Sequence, residues 1–310
     1  MKKILITGSN GLLGQKLIQQ LLDKNNFLVI ASSKGNDRLG FSHQNYLYEK
    51  LDITNFIEVK NILSKHLPDI IINTAATTNV DACELDPYAC YLNNTKSVEF
   101  IKDVLYALQN KDYTPHLIHL STDFIFDGTK GPLTEEEQPN PLSVYAKSKL
   151  EAEELIQNSL LKKWTIVRTV LVYGVAKNLS RSNIVLWVKE SLEQKKKINV
   201  VTDQYRTPTL AEDLAKGCIL IAEKGATGIF NISGKDFMNI YELANRVADF
   251  FGLDKLLISA STSEGIKQPA KRPPTTGFII DKARKILGYE PRSFEEGLEI
   301  VKQQLDKGID

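Results

Sequence analysis

The sequence predicts an α/β protein: a doubly wound, mostly parallel sheet with helices on both faces and a smaller, mostly C-terminal lobe. Three observations predict it. Short apolar runs alternate with helical patterns from residue 3 to about residue 120, the order that builds parallel βαβ units. A glycine-rich turn, Gly8-Ser9-Asn10-Gly11-Leu12-Leu13-Gly14, separates the first apolar run from the first helical pattern. From about Tyr173 the regular alternation loosens, which marks a second body of chain. At 310 residues there is room for both.

Composition narrows the function classes. Apolar residues make up 42% and charged residues 25%, ordinary for a soluble globular protein. The formal net charge of +1 argues against nucleic acid or an anionic membrane as the main partner. Three scattered cysteines, Cys83, Cys90 and Cys218, do not make a disulfide framework and suit a reducing cytoplasm. No second ligand pair accompanies Cys83 and Cys90, so no metal site is expected. The start, MKKILITG, is too short in apolar residues for a signal-peptide core, and no run approaches a bilayer span. A cytoplasmic protein is the expectation.

Taken in order, residues 3–7 read as a buried strand that runs through the glycine turn into the helical pattern LLGQKLIQQLLDK. Strand, glycine turn and helix in succession form a Rossmann-type dinucleotide-binding unit. The glycines let a pyrophosphate approach the backbone amides and the positive end of the helix. Residues 27–33 (FLVIASS) are the second strand. An NAD-preferring site usually has an acidic residue near that strand end. Here Ser32, Ser33 and Lys34 stand there, with Arg38 beyond. Hydroxyls and cations suit the 2′-phosphate of NADP, so NADP(H) is favoured and NAD(H) remains an option.

Residues 46–54 supply a third strand, with Asp52 and Ile53 placed to meet an adenine. Residues 69–76 (DIIINTAA) form a fourth, ending in small residues that let a cofactor lie across the strand ends. The stretch from Val80 to Leu108 reads as one or two helices interrupted at Pro87. The next apolar run, PHLIHL, is a buried strand leading to Ser121 and Thr122. His116 and His119 fall on opposite faces of that strand and cannot share one ion; both read as structural. There is no GxSxG elbow to support a hydrolase.

After a polar loop come Tyr145 and Lys149, four residues apart on one helix face. A lysine ammonium about 6 Å from a phenol favours the phenolate by roughly 3 kcal/mol at an effective dielectric of about 20. That is about two pKa units, enough to make tyrosine a proton donor and acceptor near neutral pH.

Residues 164–174 (WTIVRTVLVYG) form another strand, and TGIFNISG a late strand returning to the main sheet. SNIVLWVKESLEQKKK, IYELANRVADFFGL and FEEGLEIVKQQLDK are amphipathic helices. Between the last two lies a basic, proline-rich loop, KQPAKRPPTTGF, whose Lys271 and Arg272 could bind a phosphorylated group or simply face solvent. The expected partition is a dinucleotide-binding domain over 1–172 and about 199–232, with a substrate lobe over about 173–198 and 233–310. Helices near 90–108 and 145–157 could pair across a homodimer interface.

The segments TGSNGLLG, NTAATTNVDACE, STDFIFDG, PLSVYAKSKLEAE, RTVLVYG, DQYRTPTLAEDLA and KRPPTTGFIIDKARKILGYEP together resemble the extended short-chain dehydrogenase/reductase family. Within it they are most similar to the dTDP-4-dehydrorhamnose reductase branch, over nearly the whole chain. The resemblance implies Tyr145 as catalytic acid, Lys149 as its pKa partner and ribose ligand, and Thr122 as a hydrogen-bond donor to the substrate oxygen. It implies cofactor contacts at Gly8, Asn10, Gly11, Leu12, Leu13, Gly14, Ala75 and Ala76. Thr77, Asp123, Leu171, Arg206 and Arg272 are the candidate substrate contacts. A 4,6-dehydratase of this superfamily carries Asp-Glu after the threonine; here Asp123-Phe124 follows, so elimination lacks its second carboxylate. Leu171 stands where the family often has tryptophan, and Thr77 where it usually has tyrosine, both on the substrate side. The implied activity is reduction of a nucleotide-linked 4-keto-deoxysugar, most simply dTDP-4-dehydrorhamnose, by NAD(P)H. Two alternatives stay open: another enzyme of the superfamily, such as an epimerase or different carbonyl reductase, or a non-catalytic NADP-binding regulatory subunit.

Overall fold

The computed structural model describes residues 1–179, 182–265 and 268–308; Lys267, which opens the basic loop, lies outside them. The chain begins with β1 (Lys2–Thr7), α1 (Leu12–Lys24), β2 (Phe27–Ser33), β3 (Tyr46–Lys50), α2 (Phe56–His66) and β4 (Ile70–Asn73). It continues through α3 (Val80–Leu85), α4 (Pro87–Tyr91), a π-helical turn (Leu92–Lys96), α5 (Ser97–Leu108), β5 (His116–Thr122) and α6 (Val144–Gln157). Next come β6 (Trp164–Thr169), β7 (Val172–Tyr173), α7 (Ile184–Glu193), β8 (Ile198–Val201), β9 (Tyr205–Arg206), β10 (Thr209–Leu210) and α8 (Ala211–Lys224). The C-terminal part holds β11 (Gly228–Asn231), β12 (Met238–Asn239), α9 (Ile240–Phe251), β13 (Ile258–Ser261), α10 (Asp281–Leu287) and α11 (Phe294–Asp306).

The main sheet is seven-stranded in the order β11-β6-β5-β4-β1-β2-β3, and every pairing in it is parallel. Strands buried on both faces need apolar residues at every position, and β1 shows the split. Ile4 and Ile6 pack with α1 and α8 on one side, while Leu5 packs with α2 and α5 on the other, as the period of two requires. The winding reverses between β1 and β4. That reversal opens a crevice at the carboxyl ends of the strands, where α/β sheets take ligands.

A second core lies under β7, α7, β8, α9 and α11, with Val185, Val188, Leu243, Val247 and Leu298 fully buried. Two expected boundaries move. The segment opening at about residue 199 pairs as β8 with β13, outside the main sheet. Its Ile198 and Val200 fill the second core, because β11 already occupies the sheet edge beyond β6. Conversely, Phe278, Ile280, Ala283, Leu287 and Tyr289 pack with α8 in the main core rather than in the smaller lobe. Where one or two helices broken at Pro87 were expected, there are three helical pieces, the π-helical turn lying between the second and third. Among the described residues no helix is long and apolar enough to cross a membrane.

Candidate active site

The crevice holds a cavity of about 310 Å³ lined by Gly8, Asn10, Gly11, Ser33, Lys34, Arg38, Asp52, Ile53, Ala75 and Ala76, among others. These come from the ends of β1, β2, β3 and β4, so the sheet register brings together residues far apart in sequence. The glycine turn is dictated by close packing. Gly8 has φ +68°, and a Cβ there would stand 2.8 Å from the Ala75 backbone. One on Gly14 would stand 2.4 Å from the Gly8 carbonyl oxygen, which locks the first turn of α1 against the loop. Leu12, Leu13 and Gly14 therefore shape the helix start from behind and do not line the cavity.

A dinucleotide fits these residues. Side chains are excluded where the backbone must be approached, and the Ser9 and Ser121 hydroxyls are buried with no protein partner. At the second strand the expectation is corrected in part. Ser32 is fully buried and its hydroxyl donates to the Ile6 carbonyl at 3.2 Å, because its position in β2 points it into the sheet. Ser33, Lys34 and Arg38 remain on the rim. Lys34 pairs with Asp52 at 2.8 Å while 79% exposed, and that hydrogen bond and charge raise its pKa. Thr74, Asn93 and Leu179 also line the cavity. Nothing in the sequence singled these out, since Asn93 arrives through the π-helical turn, an insertion common at functional sites.

At the other end of the crevice stand Thr122, Tyr145 and Lys149. Ser143 caps α6 by accepting from the Ala146 amide at 3.2 Å, and this fixes Tyr145 in the first turn with Lys149 one turn on. Both are buried, Tyr145 at 8% exposure and Lys149 at 3%. Tyr145 packs edge-on against Phe124 with ring centres 6.1 Å apart and touches Cys83 and Cys90.

The electrostatics differ from the sequence expectation. Burial raises the Tyr145 pKa well above that of a free phenol, and the Thr122 hydroxyl only partly offsets it. Lys149 is itself pushed down to about 8 by burial, with Glu153 and Cys90 pulling the other way. Its head group is already engaged, donating to the Leu120 carbonyl at 2.6 Å and lying 3.1 Å from His119 Nε2. Desolvation outweighs the attraction that spacing alone suggested, so Tyr145 holds its proton at neutral pH. The Thr122 hydroxyl donates to Asp123 at 3.1 Å and accepts from the Phe124 amide at 3.2 Å.

The five candidate substrate contacts divide. Asp123 is buried and receives the Thr276 hydroxyl, with Arg206 at 3.7 Å. Arg206, 2% exposed, spends its donors on the carbonyls of Tyr205 (2.7 Å), Pro274 (3.2 Å) and Pro273 (2.7 Å). Together they clamp the loop after β5 to the 273–276 segment and face no open space. Arg272 is held by Asp81 at 3.1 and 2.7 Å, which accounts for its charge without a phosphate. Thr77 is fixed through its backbone, its amide donating to Asn94 at 2.8 Å and its carbonyl accepting from Asn94 at 3.0 Å. Leu171 has φ +39°, a strained value for a leucine, and bridges the two cores.

Comparison with known proteins matches this architecture. The family described as RmlD substrate binding domain matches residues 1–307. The chain is 32% identical over 314 aligned positions to a dTDP-4-dehydrorhamnose reductase of Aggregatibacter actinomycetemcomitans, covering 97% of this chain and 99% of the relative. Among solved structures it resembles a dTDP-4-dehydrorhamnose reductase of Clostridium acetobutylicum, with TM-score 0.84, 31% identity and coverage of 98% and 99%. It also resembles the Bacillus anthracis dTDP-4-dehydrorhamnose reductase in complex with NADP, with TM-score 0.83, 26% identity and coverage of 98% and 100%. With a family match across almost its whole length and a relative 32% identical over nearly the whole of both chains, the chain belongs to the RmlD substrate binding domain family of extended short-chain dehydrogenase/reductases.

Proposed function

We propose that this chain is an NADPH-dependent reductase of a nucleotide-linked 4-keto-deoxysugar, with dTDP-4-dehydrorhamnose as substrate and NADH as a poorer cofactor. The observation that carries the reading is the buried Tyr145, held beside Thr122 with Lys149 one turn away, at the carboxyl end of a sheet whose glycine turn suits a dinucleotide. The named relatives supply the sugar. The reductive reading is favoured over a regulatory one because all three residues are present and placed.

In this reading Gly8, Asn10, Gly11, Ala75 and Ala76 hold the cofactor, and Ser33, Lys34 and Arg38 face its 2′-phosphate. Bound there, a reduced nicotinamide supplies hydride. Tyr145 keeps its proton until negative charge develops on the substrate oxygen, then delivers it. Its raised pKa suits that work, since a phenol in a dry site is an acid that waits for a strong base. Thr122 stands beside the phenol as a hydrogen-bonding partner that lowers its pKa and would steady charge developing on the substrate oxygen. Lys149 supplies positive charge below the pair and would bind the ribose. Asp123, Arg206 and Thr276 hold the wall of the sugar pocket.

The test is turnover of enzymatically made dTDP-4-dehydrorhamnose, beside GDP- and UDP-linked 4-keto sugars, with NADPH and with NADH. Formation of dTDP-rhamnose with NADPH preferred is expected. NADPH bound tightly but consumed with none of the sugars would overturn the reading in favour of a regulatory role.

A further inference from the structure

His119 is a buried titratable group that the mechanism above does not use. It lies on β5 in a row set by sheet register, with Thr7 opposite Asn73 and Asn73 opposite His119. The Asn73 amide nitrogen is 3.0 Å from His119 Nδ1, and the Asn73 amide oxygen accepts the Thr7 hydroxyl. On its other side His119 Nε2 is 3.1 Å from Lys149 Nζ. The Ala75 amide reaches Thr7 Oγ1 at 3.4 Å, so the row runs from the cofactor-lining Ala75 across three strands to the lysine. Every member is nine-tenths buried or more: Thr7 1%, Asn73 1%, His119 1% and Lys149 3% exposed.

Hydrogen-bond bookkeeping restricts the states of this row. An ammonium has only donors, so beside a charged Lys149 the imidazole must accept at Nε2. A neutral imidazole then carries its single hydrogen on Nδ1 and needs an acceptor there, which only the Asn73 amide oxygen can supply. Beside a neutral amine the row reverses. Asn73 donates to Nδ1, and Nε2–H donates to the lysine nitrogen. Burial keeps the imidazole from charging, with Lys149 adding to the effect.

We propose that His119 is a positioning residue for Lys149 and that its tautomer follows the lysine charge: Nδ1–H with the ammonium, Nε2–H with the amine. The proton count closes. On deprotonation one proton leaves Lys149 for solvent, while the imidazole keeps one proton, moved from Nδ1 to Nε2, and the Asn73 amide turns over. The row therefore holds the lysine head in place in both charge states. The other titratable groups acting on Lys149 are Glu153 on its own helix and Cys90 from α4, and Tyr145 lies one turn before it on the same helix. Glu153 is tied to Arg168 at 2.7 Å.

The inference rests on Lys149 being the ionising lysine of the site, not on the sugar or on turnover, so its first test needs neither. Protein labelled with 15N-histidine is titrated by NMR from pH 6 to 10, the His119 signals being assigned with His119→Gln. Expected is a neutral Nδ1–H imidazole at low pH that converts to Nε2–H with a midpoint near 8, where Lys149 titrates. In Lys149→Met the conversion should vanish. One unchanging tautomer across the range, or a His119 imidazolium forming near its ordinary pKa of about 6.5, would overturn the proposal. A second readout is the alkaline limb of kcat/KM. His119→Leu, which removes the acceptor for the ammonium, should move it down by about one pH unit, and His119→Gln should restore most of that shift. Equal limbs in all three proteins would also overturn it. Failure of sugar turnover alone would instead fall on the reductase reading.

Discussion

The two ends of the crevice are built on opposite electrostatic terms. At the floor, Tyr145, Lys149 and His119 are all at least nine-tenths buried, and burial moves each pKa in the direction that removes charge. At the rim, Lys34 is 79% exposed and its charge is met by Asp52. Floor groups have fixed partners and no competing water, so their chemistry is set by geometry. Rim groups exchange partners cheaply and are screened by salt. In the proposed reading, proton delivery is thus specified by the interior, and the choice between phosphorylated and unphosphorylated cofactor by a few adjustable surface charges.

The strongest way to break this contrast is at the floor. Tyr145→Phe removes the hydroxyl proposed to give the proton and should lower kcat by about 10²–10⁴-fold with NADPH affinity unchanged. Glu153→Ala leaves the buried Arg168 guanidinium without its partner. It should cost about 3–5 kcal/mol of unfolding free energy, read by urea denaturation. Thr122→Val removes the hydroxyl beside the phenol and should reduce kcat about 10–100-fold, with Thr122→Ser restoring most of it. The Lys149 ammonium, present below a pKa of about 8, is lost above it. Activity that depends on it should fall on the alkaline side of pH 8, by about tenfold per unit at the limit. The smallest effect belongs to the rim. Lys34→Ala should weaken NADPH binding by about tenfold or less and leave NADH binding unchanged, the difference shrinking in high salt. A large, salt-independent loss for both cofactors would erase the distinction between rim and floor.

Local patterns carried much of this site into the sequence. The strand, glycine turn and helix from Lys2 to Lys24 need only neighbouring residues, and so does the one-turn spacing of Tyr145 and Lys149. What escaped depends on register and on burial. Arg206 and Arg272 look like substrate contacts in a one-dimensional reading, yet Pro273, Pro274 and Asp81 come from distant segments to take their donors. Ser32 and Ser33 are adjacent in sequence, but strand alternation sends the first into the sheet and the second to the cavity. The Tyr145 pKa was misread because helix spacing gives a distance to Lys149 and says nothing about desolvation or about the lysine's other partners. His119 reads as structural in the sequence because Asn73 lies 46 residues before it along the chain and Thr7 a further 66 before that.

The most direct test of the central claim is a paired measurement on the wild type and Tyr145→Phe: NADPH affinity by fluorescence, and NADPH oxidation with dTDP-4-dehydrorhamnose. The account predicts equal affinity and a kcat lower by about 10²–10⁴-fold in the variant. Turnover at the wild-type rate in Tyr145→Phe would contradict it.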